Sequence, residues 1–94
     1  MSIELRFFDR KEIKDIIAYM RIGFNGKDDI SFKRIINEPK RGIGKTAIDR
    51  LTEISNKEGI SLFEVCEKIE IYDELSRYHK VLREFVKLIY DFRV

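Results

Sequence analysis

The stretch Pro39-Lys40-Arg41-Gly42-Ile43-Gly44-Lys45-Thr46 holds the densest set of residues that could do chemistry in this chain. Glycines at 42 and 44 permit positive φ, and the missing Cβ lets an anion approach the backbone closely. The segment leads into a helical period from Thr46 to Ser55, with Ile48, Leu51 and Ile54 on one side. A helix start carries unpaired N–H groups and the positive end of the helix dipole, both suited to phosphate. Ile43, between the glycines, can tuck inward as an anchor. Lys40, Arg41 and Lys45 add positive charge at the same place, and Lys33 and Arg34 lie one helix earlier. The chemistry expected is phosphate contact through the Gly42-Ile43-Gly44 amides and Thr46, with Lys40, Arg41 and Lys45 as electrostatic partners. Such contacts position a duplex without reading its bases. The plain alternative is a turn that merely connects helices, since Gly-x-Gly alone is common.

Other constellations carry less. Gly44-Lys45-Thr46 matches the tail of a nucleotide-binding P-loop, but that loop needs a glycine where Pro39 stands and a β-strand before it. Residues Phe32 to Ile36 instead have a helical pattern, and no acidic strand end is present to hold magnesium. Cys66 is the single cysteine and His79 the single histidine, which excludes an internal disulfide and makes a tetrahedral zinc site implausible. Cys66 is expected to pack as a small hydrophobe. Asp9, Glu12, Asp15, Asp28 and Asp29 sit where helix caps and exposed helix pairs need carboxylates, so they are read as structural and not as acid–base catalysts. No cofactor and no metal are expected in this chain.

These residues must be positioned by helices. Hydrophobic residues make up 44% of the 94 residues and charged residues 38%, with the signs interspersed and a net charge of +2. That balance fits one folded domain with a solvated helical surface. A chain of this length buries roughly 60–65% of its unfolded surface, so stability is expected to be marginal. The longest apolar stretches fall far short of a membrane span and the start has no secretory signature, so no membrane and a cytoplasmic location are expected.

Asp9 and Glu12 have capping-box spacing ahead of a helix from about Lys11 to Ile22, in which Ile13, Ile16, Ile17 and Met20 recur at helical intervals, with Phe24 continuing the period just beyond. Asp28 or Asp29 caps a short helix carrying Ile30, Phe32, Ile35 and Ile36, which Pro39 ends near Asn37. After the Thr46–Ser55 segment, Gly59 suits a left-handed helix end. Ser61 and Glu64 form a second capping box before Leu62, Phe63, Val65 and Ile69. A last helix is predicted from roughly Asp73 to Phe92. Its Tyr72, Tyr78, Tyr90 and Phe92 are expected to leave an apolar face uncovered, which predicts self-association. The fold class is all-α, a small bundle of about five helices over residues 1–94.

The Gly-Ile-Gly turn between helices resembles the helix–hairpin–helix motif of DNA repair and replication proteins. Ile48 stands at the fourth position after Gly44, where that motif often has alanine, so looser helix packing is expected there. A closer likeness spans several blocks. Phe7-Phe8-Asp9-Arg10-Lys11-Glu12-Ile13-Lys14-Asp15-Ile16 with Ala18-Tyr19-Met20-Arg21, then residues 28–37, 39–44 and 59–64, resemble in order and spacing the 2B subdomain of UvrD/PcrA/Rep-type superfamily 1 helicases. The likeness runs from about Phe7 to Glu67.

The resemblance implies an all-helical insertion in the second RecA-like motor domain of an ATP-dependent 3′–5′ DNA helicase of replication or repair. Its Gly-Ile-Gly region would contact the duplex ahead of the fork, and the subdomain would swivel between open and closed orientations. Residues 1–10 would form a hinge-like lead-in, with Phe7 to Lys11 at the hinge. ATP and magnesium would belong to the parent motor only, and this chain, an excised or truncated piece by this reading, would do no catalysis alone. Its partners would be the duplex DNA backbone and the motor domains. The rival reading is a protein-interaction or autoinhibitory helical module without direct DNA contact.

Overall fold

The computed structural model describes residues 10–92. Among them are five α-helices and two short 3-10 segments: α1 (Lys11–Phe24), α2 (Asp29–Ile35), α3 (Lys45–Glu58), α4 (Leu62–Glu67), the 3-10 segments Ile69–Ile71 and Asp73–Tyr78, and α5 (His79–Asp91). The class is all-α, as expected. Asp9 of the first capping pair, and the hinge-like lead-in apart from Arg10, lie outside the described residues; Arg10 occupies the N-cap of α1.

Local chemistry sets most boundaries. Asp28 caps α2: its Oδ1 accepts from the Ser31 N–H at 3.0 Å and its Oδ2 from the Ser31 hydroxyl at 2.7 Å. Asp29 does a different job, accepting from the Leu62 N–H at 3.0 Å and so tying the start of α4 to α2. The Ser61–Glu64 capping box is complete, with Glu64 N–H donating to Ser61 Oγ at 3.1 Å and Ser61 N–H to Glu64 Oε1 at 2.9 Å. Gly59 ends α3 in the left-handed region at φ +68°, where a side chain would be strained.

Phe85 of α5 is the centre of the core. Phe32 meets its ring edge-on at 5.6 Å, Phe63 does so at 6.3 Å, and Tyr19 lies tilted at 6.4 Å. Around them Ile22, Ile35, Leu51, Leu62, Val65, Leu75, Leu82 and Ile89 are fully enclosed. Burying each large apolar side chain contributes about 1.5–3 kcal/mol, which is what holds such short helices together. Cys66 is buried in this core as expected, and burial pushes its thiol pKa up.

Two sequence expectations change. The first helix forms where predicted, but Ala18, Tyr19 and Ile22 are the residues it buries, while Ile16, Met20 and Phe24 face outward at 50, 57 and 95% exposure. The helix has two apolar stripes. The inward one is selected by Tyr19, whose ring packs on Phe85 and Phe92. The last helix is also shorter than predicted: residues 73–78 are a 3-10 segment, and Leu75 departs from helical geometry at φ −109°. His79 Nε2 lies 2.9 Å from the Tyr72 carbonyl at the junction. Tyr72 is buried, Tyr90 packs edge-on against Phe63, and Phe92 stacks on Tyr19 at 5.5 Å, so the apolar face expected on α5 is covered in part.

The capping carboxylates make stability pH-dependent. Hydrogen bonds from the Ser31 N–H hold Asp28 below its ordinary pKa, and those from the Ser61 N–H do the same for Glu64. A depressed folded-state pKa gives stability that is present above the unfolded value and lost as pH falls through the folded one. The thermal midpoint should therefore be flat at neutral pH and fall below about pH 4. The double variant Asp28→Asn, Glu64→Gln should fall less steeply in melts recorded across that range; an unchanged acid limb would contradict this.

Candidate nucleic-acid interface

α2 ends at Ile35, leaving carbonyls at its C-terminus without helical partners. The chain then reverses through residues 36–44, including a cis Glu38–Pro39 bond, and re-enters helix at Lys45. One side chain organises this reversal. Asn37 Oδ1 accepts from the Arg41 N–H at 3.2 Å and the Ile43 N–H at 3.1 Å, while its Nδ2 donates to the Ile43 carbonyl. A single amide thus replaces the pairing that a regular element would have given these groups. Ile43 is only 1% exposed, anchoring the turn in the core as its position between the glycines predicts.

The expected site residues divide into outward and inward sets. Gly42 and Gly44 are exposed, and among the described residues neither N–H has an intramolecular acceptor. Gly42 lies at φ +75°, so its conformation calls for glycine; Gly44 is at φ −85° and forms the N-cap of α3 without a side-chain cap. Lys40, Lys45 and Thr46 are exposed beside them. Lys45 Nζ reaches Asp49 at 2.9 Å, an exposed pair of little energetic weight. Together Lys40, Gly42 and Gly44, with Asn37 and Glu38, border an open concavity of about 400 Å³.

Arg41 and the Ile43 amide face the other way. The Ile43 N–H, expected among the outward donors, is engaged by Asn37. The Arg41 guanidinium donates to the carbonyls of Ile35 at 2.8 Å and Ile36 at 2.9 Å, and to the Tyr19 hydroxyl at 2.6 Å. Its Cζ lies 4.8 Å above the Phe85 ring. The Tyr19 hydroxyl in turn donates to the Glu38 carbonyl.

Lys33 and Arg34 are exposed on α2, and Arg34 Nε donates to Asp15 at 2.9 Å. Ile48 packs against the core partly buried, next to the fully buried Ala47. Among the described residues no group of histidine, cysteine or carboxylate side chains could hold a metal, and no helix is long and apolar enough to cross a membrane. Asn37 and Tyr19 were not marked by the sequence. An asparagine just after a helix and before a proline does signal a side-chain-held turn. The role of Tyr19 depends on contacts distant in sequence, which local pattern does not carry.

The chain's likeness to known proteins agrees with this architecture. The family model for the UvrD-like helicase C-terminal domain matches residues 1–88. The ATP-dependent DNA helicase PcrA of Bacillus subtilis (strain 168) is 39% identical over 84 residues, covering 89% of this chain and 11% of that protein. The ATP-dependent DNA helicase Rep of Buchnera aphidicola is 41% identical over 93 residues, covering 98% of this chain and 14% of that protein. The chain therefore spans only a small part of the length of these relatives. On the match across nearly its whole length, the chain belongs to the UvrD-like helicase C-terminal domain family.

Proposed function

We propose that this chain is a duplex-DNA-binding accessory module of an ATP-dependent DNA helicase of the PcrA and Rep kind, working in the cytoplasm beside motor domains that carry the ATP and magnesium chemistry. The observation that carries the reading is the outward pair of free glycine amides, Gly42 and Gly44, set against the uncapped first turn of α3. Phosphate oxygens are acceptors only, and a helix start with unpaired N–H groups and a positive dipole end suits them. Lys40 and Lys45 supply charge at the rim, and Thr46 a hydroxyl. These groups contact backbone and not bases, so binding should be indifferent to sequence.

A second reading is favoured by one feature, the outward ridge of Ile16, Met20 and Phe24 on α1, which suits a protein-interaction module. Duplex binding measured across salt separates the two. Each neutralised phosphate contributes about 0.9 to the slope of log affinity against log salt. Lys40→Gln should weaken binding to all sequences alike and reduce that slope by about this amount. No duplex binding at low salt, or a slope indifferent to Lys40→Gln and Lys45→Gln, would leave the interaction module as the better account.

A further inference from the structure

Arg41 stands next to Gly42 and was expected to meet phosphate, yet it is held at both ends from within the protein. Its main-chain N–H is bound by Asn37 at 3.2 Å. Its head donates to the Ile35 and Ile36 carbonyls at the end of α2, at 2.8 and 2.9 Å, and lies over Phe85. A guanidinium suits this place because its donors fan out in a rigid plane and its faces stack on aromatic rings. Its partners among the described residues are carbonyls, a hydroxyl and aromatic rings.

We propose that Arg41 is a positioning residue, a strut that fixes the Gly42-Ile43-Gly44 turn against α1, α2 and α5 through the Ile35 and Ile36 carbonyls, the Tyr19 hydroxyl and the Phe85 ring. It acts on DNA through the turn and not by touching phosphate. The Tyr19 hydroxyl is the outer end of the strut, accepting from Arg41 at 2.6 Å and donating to the Glu38 carbonyl on the opposite limb of the turn. Swinging the guanidinium out to a phosphate would break its bonds to the Ile35 and Ile36 carbonyls and to the Tyr19 hydroxyl together, leaving the Ile35 carbonyl only the Glu38 N–H. The proposal rests on the reading of the turn as the duplex contact, but its structural half can be tested without DNA.

The test uses Arg41→Lys, which keeps the charge and loses the fork, and Tyr19→Phe, which keeps the charge and the ring. Amide hydrogen exchange in the free chain should speed up about 5- to 10-fold at the Arg41 and Ile43 N–H groups in both variants, relative to the interior of α3. Duplex affinity per folded molecule should fall by a similar factor, with the salt slope unchanged because no phosphate contact is lost. Unchanged exchange at both amides overturns the strut. So does full duplex affinity in Arg41→Lys, since charge alone would then suffice. So does a midpoint loss with affinity unchanged, which would make the role one of bulk stability. If Arg41→Lys does not fold, Tyr19→Phe decides alone. Should the unaltered chain fail to bind duplex, the function reading fails, and exchange still judges the strut.

Discussion

Replacing Asn37 with alanine should lower the thermal midpoint by roughly 8–16 °C, because about 2 kcal/mol of turn-holding hydrogen bonding is lost in a domain of this size. The substitution removes the acceptor for the Arg41 and Ile43 N–H groups and the donor to the Ile43 carbonyl at one stroke. Ile43 is buried, so its main-chain groups would have little water to turn to. The side chain itself is half-buried and contributes little apolar area, so the loss reports on hydrogen bonding more than packing. Asn37→Asp makes a graded control: it keeps the acceptor and loses the Nδ2 donor, and should fall between the two in a melt followed by circular dichroism. A midpoint unmoved by Asn37→Ala would mean that Ile43 burial alone sets the turn.

The second large effect is on binding and not on stability. Gly44→Val should weaken duplex affinity by about tenfold or more, since a branched side chain there blocks the approach of a phosphate to the backbone. The fold should tolerate it. A Cβ built at Gly44 meets nothing within 4 Å, and its φ of −85° is ordinary for any residue. Loss of a permissive N-cap residue costs up to about 1 kcal/mol, a few degrees of midpoint. Gly42 offers the contrast. Space is open there too, but φ is +75°, so Gly42→Ala should cost about 1–2 kcal/mol of stability whatever it does to DNA. Affinity retained in Gly44→Val would show that nothing needs close access to that amide.

Much of this was legible in the sequence because it is written in short-range chemistry. The Ser61–Glu64 box, the Asp28 cap, the Gly59 end and the inward Ile43 each follow from neighbours a few residues apart. What the sequence did not disclose depends on distant contacts. α1 has two candidate apolar faces, and only Phe85 and Phe92, far along the chain, decide that Tyr19 faces inward. The predicted last helix ran too long because spacings of three and four fit 3-10 and α geometry alike over a short span. Charge and proximity in the sequence group Arg41 with Lys40 and Lys45. The carbonyls that claim its head lie at the end of α2, and the ring beneath it belongs to α5. A basic residue beside a glycine turn is therefore an ambiguous signal until its partners are known.

The most direct measurement is amide chemical-shift mapping of the isotopically labelled chain during titration with a short DNA duplex of arbitrary sequence. The largest shifts should fall on the N–H groups of Gly42, Gly44, Lys45 and Thr46, fade as salt is raised, and persist when the duplex sequence is changed. Shifts centred on the Ile16, Met20 and Phe24 face of α1, or no shifts at low salt, would rule out a duplex contact at the turn.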